Sequence, residues 1–268
     1  MHTPGRPRAR RPWLPIVGAA LAVAAVCALG VWRPWVVPSA PLAAEEGIAA
    51  VTPPALSLPD EPRVLVFGDS WVYGSAALVP TLGFAYRLGE DLGWDTAVDG
   101  VRGSGYLKPG LDGGSYGERV ADLDPALDPD LIIVEGSIND RRLPAAGYRD
   151  AVTAAWDALA ARYPDAAFVI LGPAPQVLPV ESATARIDAD LAALAGARGW
   201  WYISPIAEDW ITPDNYLEVI DVSPTGRDHP STAGHAYLAE RVAAALDRMT
   251  ETTDIIADPP LDDELIAP

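Results

Sequence analysis

Histidine is scarce in this chain. Its 268 residues contain three, His2, His229 and His235, and a single cysteine, Cys27. One cysteine leaves no intrachain disulfide and no cysteine-based zinc site. Acid–base work near neutral pH therefore falls to histidine. His229 and His235 share the stretch "GRDHPSTAGHAYLAERV". The proline after His229 biases it to extended or turn backbone, so it reads as a loop residue just ahead of the last helix. His235 lies one turn into that helix and reads as a packing or capping residue. An imidazole on a loop can reach across a cleft to a hydroxyl, and one hydroxyl stands out. In "VLVFGDSWVYG", Val64 to Phe67 form a short apolar strand, Gly68 ends it, and Ser70 follows. Chemistry in open α/β sheets gathers at the carboxyl ends of strands. A serine becomes a nucleophile when a base takes its proton, and attack on a carbonyl needs donors for the developing oxyanion. The glycine-rich turn "DGVRGSGYL" offers the Gly103 N–H, and "VEGSIND" offers the Asn139 amide.

These residues need a frame. Short apolar runs recur at Val64–Phe67, Leu131–Val134, Phe168–Leu171 and Trp200–Ile203, with a strand-like "DTAV" before the glycine turn. Runs of this length suit strands buried on both faces of a parallel sheet. Between them Val152, Ala155, Trp156, Leu159 and Ala160 form one apolar helical stripe,. Leu238, Val242, Ala245 and Leu246 form another, with Ser231 or Thr232 as its cap,. The alternation predicts βαβ units, a parallel sheet and helices on both faces.

In chain order, "FGDSW", "GVRGSGY", "GSIND" and "DHPSTAGH" resemble the four blocks of the SGNH (GDSL-type) hydrolase family. The resemblance covers about Arg63 to Arg248. It implies a flavodoxin-like three-layer α/β/α sandwich with a central parallel sheet. It also implies ester hydrolysis through an acyl-serine intermediate. Ser70 would be the nucleophile and His229 the base, with an oxyanion hole from the Ser70 and Gly103 N–H groups and the Asn139 amide. Two positions depart from the family pattern. The family usually has an aspartate three residues before the histidine, where this chain has Gly226. Asp228 is the first candidate to orient His229, with Asp221 or a backbone carbonyl as alternatives. Ser137 stands where glycine is commoner. Trp71 follows the nucleophile and reads either as a wall of the substrate site or as core packing, and Tyr73, Tyr106 and Tyr116 fall near the same loops.

The net charge of −18 disfavours nucleic acid, an anionic membrane face and polyanionic substrates,. No His/Cys/Asp cluster has metal-ligand spacing, so no metal or cofactor is implied. Residues 1–35 carry Arg6, Arg8, Arg10 and Arg11, then an apolar run of about the 20 residues that span a bilayer,. They read as a cytoplasmic basic segment with a transmembrane anchor, or as a signal peptide. Either places the rest outside the cytoplasm. Residues 36–62 read as a Pro/Ala-rich linker, 63–249 as the hydrolase domain and 250–268 as an acidic disordered tail. The expected activity is an extracytoplasmic serine esterase acting on small acyl esters, such as acetyl, of carbohydrates or small alcohols. An O-acyltransferase using the same site and a non-catalytic binding module are the alternatives.

Overall fold

The apolar runs become the middle layer of the molecule. A computed structural model describes residues 51–250. It contains five parallel strands: β1 (Arg63–Gly68), β2 (Asp95–Gly100), β3 (Leu131–Glu135), β4 (Ala167–Leu171) and β5 (Trp201–Ile203). Their order in the sheet is β2-β1-β3-β4-β5. The chain runs outward from β1 to β2, then returns across to β3. The reversal leaves a crevice at the carboxyl ends of β1 and β3, where open α/β sheets bind their ligands.

Alternate strand residues feed two cores, as the period of two requires. Val64, Val66, Leu131, Ile133, Val169 and Leu171 face one side. There they meet α1 (Ser70–Tyr73), α2 (Phe84–Leu92), α6 (Tyr216–Val219) and α7 (Thr232–Thr250). Leu65, Phe67, Ile132, Val134, Phe168 and Ile170 face the other. They meet α3 (Tyr116–Asp122), α4 (Tyr148–Arg162) and α5 (Ser182–Arg198). The result is a three-layer α/β/α sandwich with a five-stranded parallel sheet. Val152, Ala155, Trp156 and Leu159 of the expected stripe are buried on α4, and all four residues of the α7 stripe are buried. Ser231 caps α7, its Oγ accepting from Gly234 N–H at 2.9 Å.

One small element goes beyond the sequence reading. Ile220–Asp221 (β6) pairs antiparallel with His229–Pro230 (β7). His229 is therefore not on a free loop. It sits at the base of a hairpin, extended as its proline demands, and leads directly into α7.

Residues 51–62 lack regular structure, yet Leu56 is buried and its N–H donates to Met249 O at 2.9 Å. The expected anchor or signal peptide and the acidic tail lie outside the described residues. Among the described residues no helix is long and apolar enough to cross a membrane.

Candidate active site

β1 delivers Ser70 to the crevice as the first residue of α1, and Asp69 caps that helix by accepting the Trp71 N–H at 2.9 Å. The β6–β7 hairpin delivers His229 from the other side, and its Nε2 lies 2.9 Å from Ser70 Oγ. His229 Nδ1 faces two acceptors, the carbonyls of Gly226 at 2.9 Å and Arg227 at 3.0 Å. Two acceptors at Nδ1 require the proton there, which leaves the Nε2 lone pair to take the serine hydroxyl hydrogen. The orienting group is therefore backbone, and the first-ranked Asp228 is corrected. Asp228 makes no hydrogen bond to the ring. Its backbone is left-handed (φ 59°), as is that of Arg227 (φ 52°), and this turn aims carbonyls at Nδ1.

Asp221 does not orient the ring either, but it explains why Gly226 is a glycine. The Asp221 carboxylate holds the hairpin tip by accepting the Ser223 N–H at 2.9 Å. A Cβ at position 226 would lie 2.1 Å from Asp221 Cγ. An aspartate there forces the Asp221 side chain or the hairpin to shift. Gly226→Asp is thus expected to lower stability by about 1–3 kcal/mol, as overpacking does, and to leave turnover no higher than wild type. Thermal melting and ester kinetics check this, and a gain in rate would contradict it.

The groups expected to serve as oxyanion donors converge from three strand ends. Gly103, left-handed at φ 75°, has an N–H with no acceptor among the described residues. The Ser70 N–H likewise has none. Asn139 is committed in the resting site. Its Nδ2 donates to Asp69 Oδ2 and to Ser104 O, both at 3.0 Å. Both of its amide hydrogens are thus held within the site. The three groups face one cleft of about 500 Å³ that also contains Ser70 and His229.

Trp71 is a correction. Only 3 % exposed, it packs in the core with Phe84 and Leu238, because one residue along α1 turns the side chain from the cleft to the sheet,. Tyr106 and Tyr116 are also buried, while Tyr73 lines the cleft under the Arg102 guanidinium.

The sequence reading missed the residues that hold this frame. The Asp140 carboxylate accepts the N–H groups of Tyr106 (2.7 Å), Leu107 (3.2 Å) and Lys108 (3.1 Å) and the Ser137 hydroxyl (2.7 Å). It ties the Asn139 loop to the Gly103 loop, and Ser137, the departure from glycine, completes it. Burial pushes the Asp140 carboxyl up, against the pull of those donors. Arg119 is 6 % exposed and spans the ends of β1 and β2 and the Gly103 loop. It donates to Gly68 O, Ser104 Oγ, Asp99 O and Asp99 Oδ1 at 2.6–3.0 Å while stacking on Phe67. Beneath the nucleophile, Glu135 accepts the Asp69 N–H at 3.3 Å. Burial and the neighbouring Asp69 charge push the Glu135 carboxyl well up, and burial pushes Asp69 up as well,.

His235, the other histidine of the described residues, is structural. Its Nδ1 accepts the Phe84 N–H at 3.2 Å at the start of α2, and its Nε2–H donates to Ser75 O at 3.0 Å. Burial pushes its pKa down from 6.5 to about 4. The native state keeps the ring neutral while the unfolded chain takes a proton below about pH 6.5. Stability is therefore full above that pH and falls as pH drops toward 4, by about 3 kcal/mol in all from this group. Chemical denaturation at pH 7 and 4.5 is expected to show this loss, and to show less of it in His235→Gln. An unchanged pH dependence in the variant would contradict the assignment.

A serine–imidazole pair with three converging donors on a 2-1-3-4-5 sheet defines a serine acyl hydrolase, and the comparisons agree. The chain matches the GDSL-like Lipase/Acylhydrolase family over residues 66–237, more than half its length, and belongs to that family. It is a GDSL/SGNH-type hydrolase. It is 28 % identical over 195 residues to the GDSL lipase Rv0518 of Mycobacterium tuberculosis, covering 67 % of this chain and 79 % of that one. Solved structures share the fold at low identity. A carbohydrate acetylesterase family member from Sinorhizobium meliloti is 15 % identical, with TM-score 0.53 over 70 % of this chain and 98 % of that one. A two-domain esterase active on acetylated mannans is 18 % identical, with TM-score 0.54 over 70 % of this chain and 49 % of that one.

Proposed function

We propose that this protein is an extracytoplasmic serine esterase that removes small acyl groups, such as acetyl, from carbohydrates or small alcohols. The observation that carries the reading is the 2.9 Å contact between Ser70 Oγ and His229 Nε2, with the oxyanion donors beside it in one open cleft. His229 Nε2 takes the proton as Ser70 Oγ bonds to the ester carbonyl carbon. The carbonyl oxygen becomes an oxyanion held by the Ser70 and Gly103 N–H groups and the Asn139 amide. Collapse expels the alcohol, which takes the proton from His229 and leaves acyl-Ser70. Water then attacks with the same base. The acid is released and Ser70 regains its proton.

A small acyl group fits a compact domain whose described residues include no long apolar lid. Carbohydrate as the alcohol draws support from the acetylated-mannan esterase and the carbohydrate acetylesterase that share the fold. The export reading rests on the four arginines and apolar run at the start of the sequence. The test is release of acetate from acetylated oligosaccharides, with and without a sugar acceptor. Free acetate in proportion to substrate consumed supports the esterase. Acyl groups recovered mainly on the acceptor would make the protein an O-acyltransferase.

A further inference from the structure

Acidic residues outnumber basic ones along this chain, 37 to 19, yet the active-site cleft reverses the sign. Arg102, Lys108, Arg141, Arg142 and Arg227 line it, and among the described residues no carboxylate does. Lys108 is the only lysine in the chain. Each cation flanks a catalytic block. Arg102 precedes Gly103, Arg141 and Arg142 follow Asn139, and Arg227 stands two residues before His229.

Two of the five already have partners. Arg102 pairs with Asp112, and Arg141 pairs with Glu181 at 2.7 Å while donating to Gln176. Lys108, Arg142 and Arg227 make no ion pair or side-chain hydrogen bond among the described residues. Lys108 Nζ lies beside the oxyanion donor, 3.9 Å from where a Cβ on Gly103 would stand. The chain spends scarce positive charge on the one surface where substrate binds and leaves most of it uncompensated.

We infer that the cleft takes an ester bearing an anionic group, a carboxylate or a phosphate, close to the scissile bond. Arg142, Arg227 and Lys108 receive the anion. This rests on the esterase reading of the same site and narrows its substrate class. The net charge of −18 does not oppose it. At physiological salt, charges are screened over about 8 Å, so distant carboxylates are muted while the cleft cations stay in contact range. Clefts lined by one sign of charge concentrate ligands of the other and speed their capture by about 10–10³-fold. Arginine and lysine both bind carboxylate and phosphate, arginine in bidentate fashion.

The experiment uses matched ester pairs. Mono-4-nitrophenyl terephthalate against its methyl ester puts the anion on the acyl side, on a rigid ring where it cannot attack its own ester. 4-Acetoxybenzoate against 4-acetoxybenzamide puts it on the alcohol side. We expect one pair to show kcat/KM at least about tenfold higher for the anionic member at low salt. High salt is expected to shrink that ratio, as are Arg142→Gln and Arg227→Gln, whereas Arg142→Lys retains most of it. The pair that responds shows which side carries the charge. The same compounds titrated into Ser70→Ala protein report binding without turnover. Tighter binding of an anionic member there supports the inference even if wild type hydrolyses none of the four, a result that would count against the esterase reading instead. Equal kcat/KM and equal binding within both pairs would overturn the inference and leave the esterase reading standing.

Discussion

Ser70→Ala and His229→Ala are each expected to lower kcat/KM on an acetyl ester by at least about 10⁴-fold, and the double variant to be no worse than either alone. The pair acts as a unit. Without the base the hydroxyl keeps its proton, and without the hydroxyl the base has nothing to activate. The 2.9 Å contact joins them directly, so their effects cannot add. Both variants are expected to melt within a few degrees of wild type. Asp228→Asn is expected to stay within about threefold of wild type, because the ring is oriented by the Gly226 and Arg227 carbonyls. A full set of kcat/KM values and melting curves checks all four proteins. Additive single losses, or an Asp228→Asn loss as deep as that of His229→Ala, would contradict the dyad.

Arg119→Met is expected to have the second largest effect, although Arg119 does not line the cleft. Its guanidinium holds the end of β1 through Gly68 O, the end of β2 through Asp99 and the Gly103 loop through Ser104 Oγ. These segments carry the nucleophile and two oxyanion donors. Removing one partner of a buried ion pair costs about 3–5 kcal/mol. The Asp99 side chain is about one-third exposed, so the lower figure applies. Methionine keeps much of the volume over Phe67 but takes the donor from four acceptors, of which Gly68 O keeps the Val101 N–H. A fall in melting temperature together with a lower kcat at little-changed KM is expected, since loosened donors weaken transition-state stabilisation more than ground-state binding. Arg119→Lys is expected to recover only part of both, because one ammonium cannot reach three segments as a planar fork does. Wild-type kcat in Arg119→Met would show that the clamp does not position the site.

Four of the five strands were legible as continuous apolar runs, which suit a doubly covered parallel sheet, and the half-buried edge strand β2 only as the strand-like "DTAV". The helices α4 and α7 were legible from their stripes. The β6–β7 pair was not, since two-residue strands leave no periodicity. Ser70, Gly103, Asn139 and His229 were found from residue type and position after a strand or before a helix, and the structure brings them to one cleft. The group that orients His229 was open in the sequence because a backbone carbonyl has no residue type to announce it. Trp71 was ambiguous because a four-residue helix shows no stripe to assign its faces. Arg119 and Asp140 went unread because most of their partners are backbone groups, and all but Ser137 lie 15 to 51 positions away. The cleft cations were visible as "VRG", "NDRR" and "GRDH". Their common direction became visible only once the loops converged.

The central claim is that Ser70 is an activated nucleophile. Mass spectrometry of the protein after brief exposure to a serine-directed phosphonate tests it most directly. The account predicts a single covalent adduct, on Ser70, formed by wild type and absent from folded His229→Ala. A folded wild-type protein that acquires no adduct, or one on another serine, would contradict it.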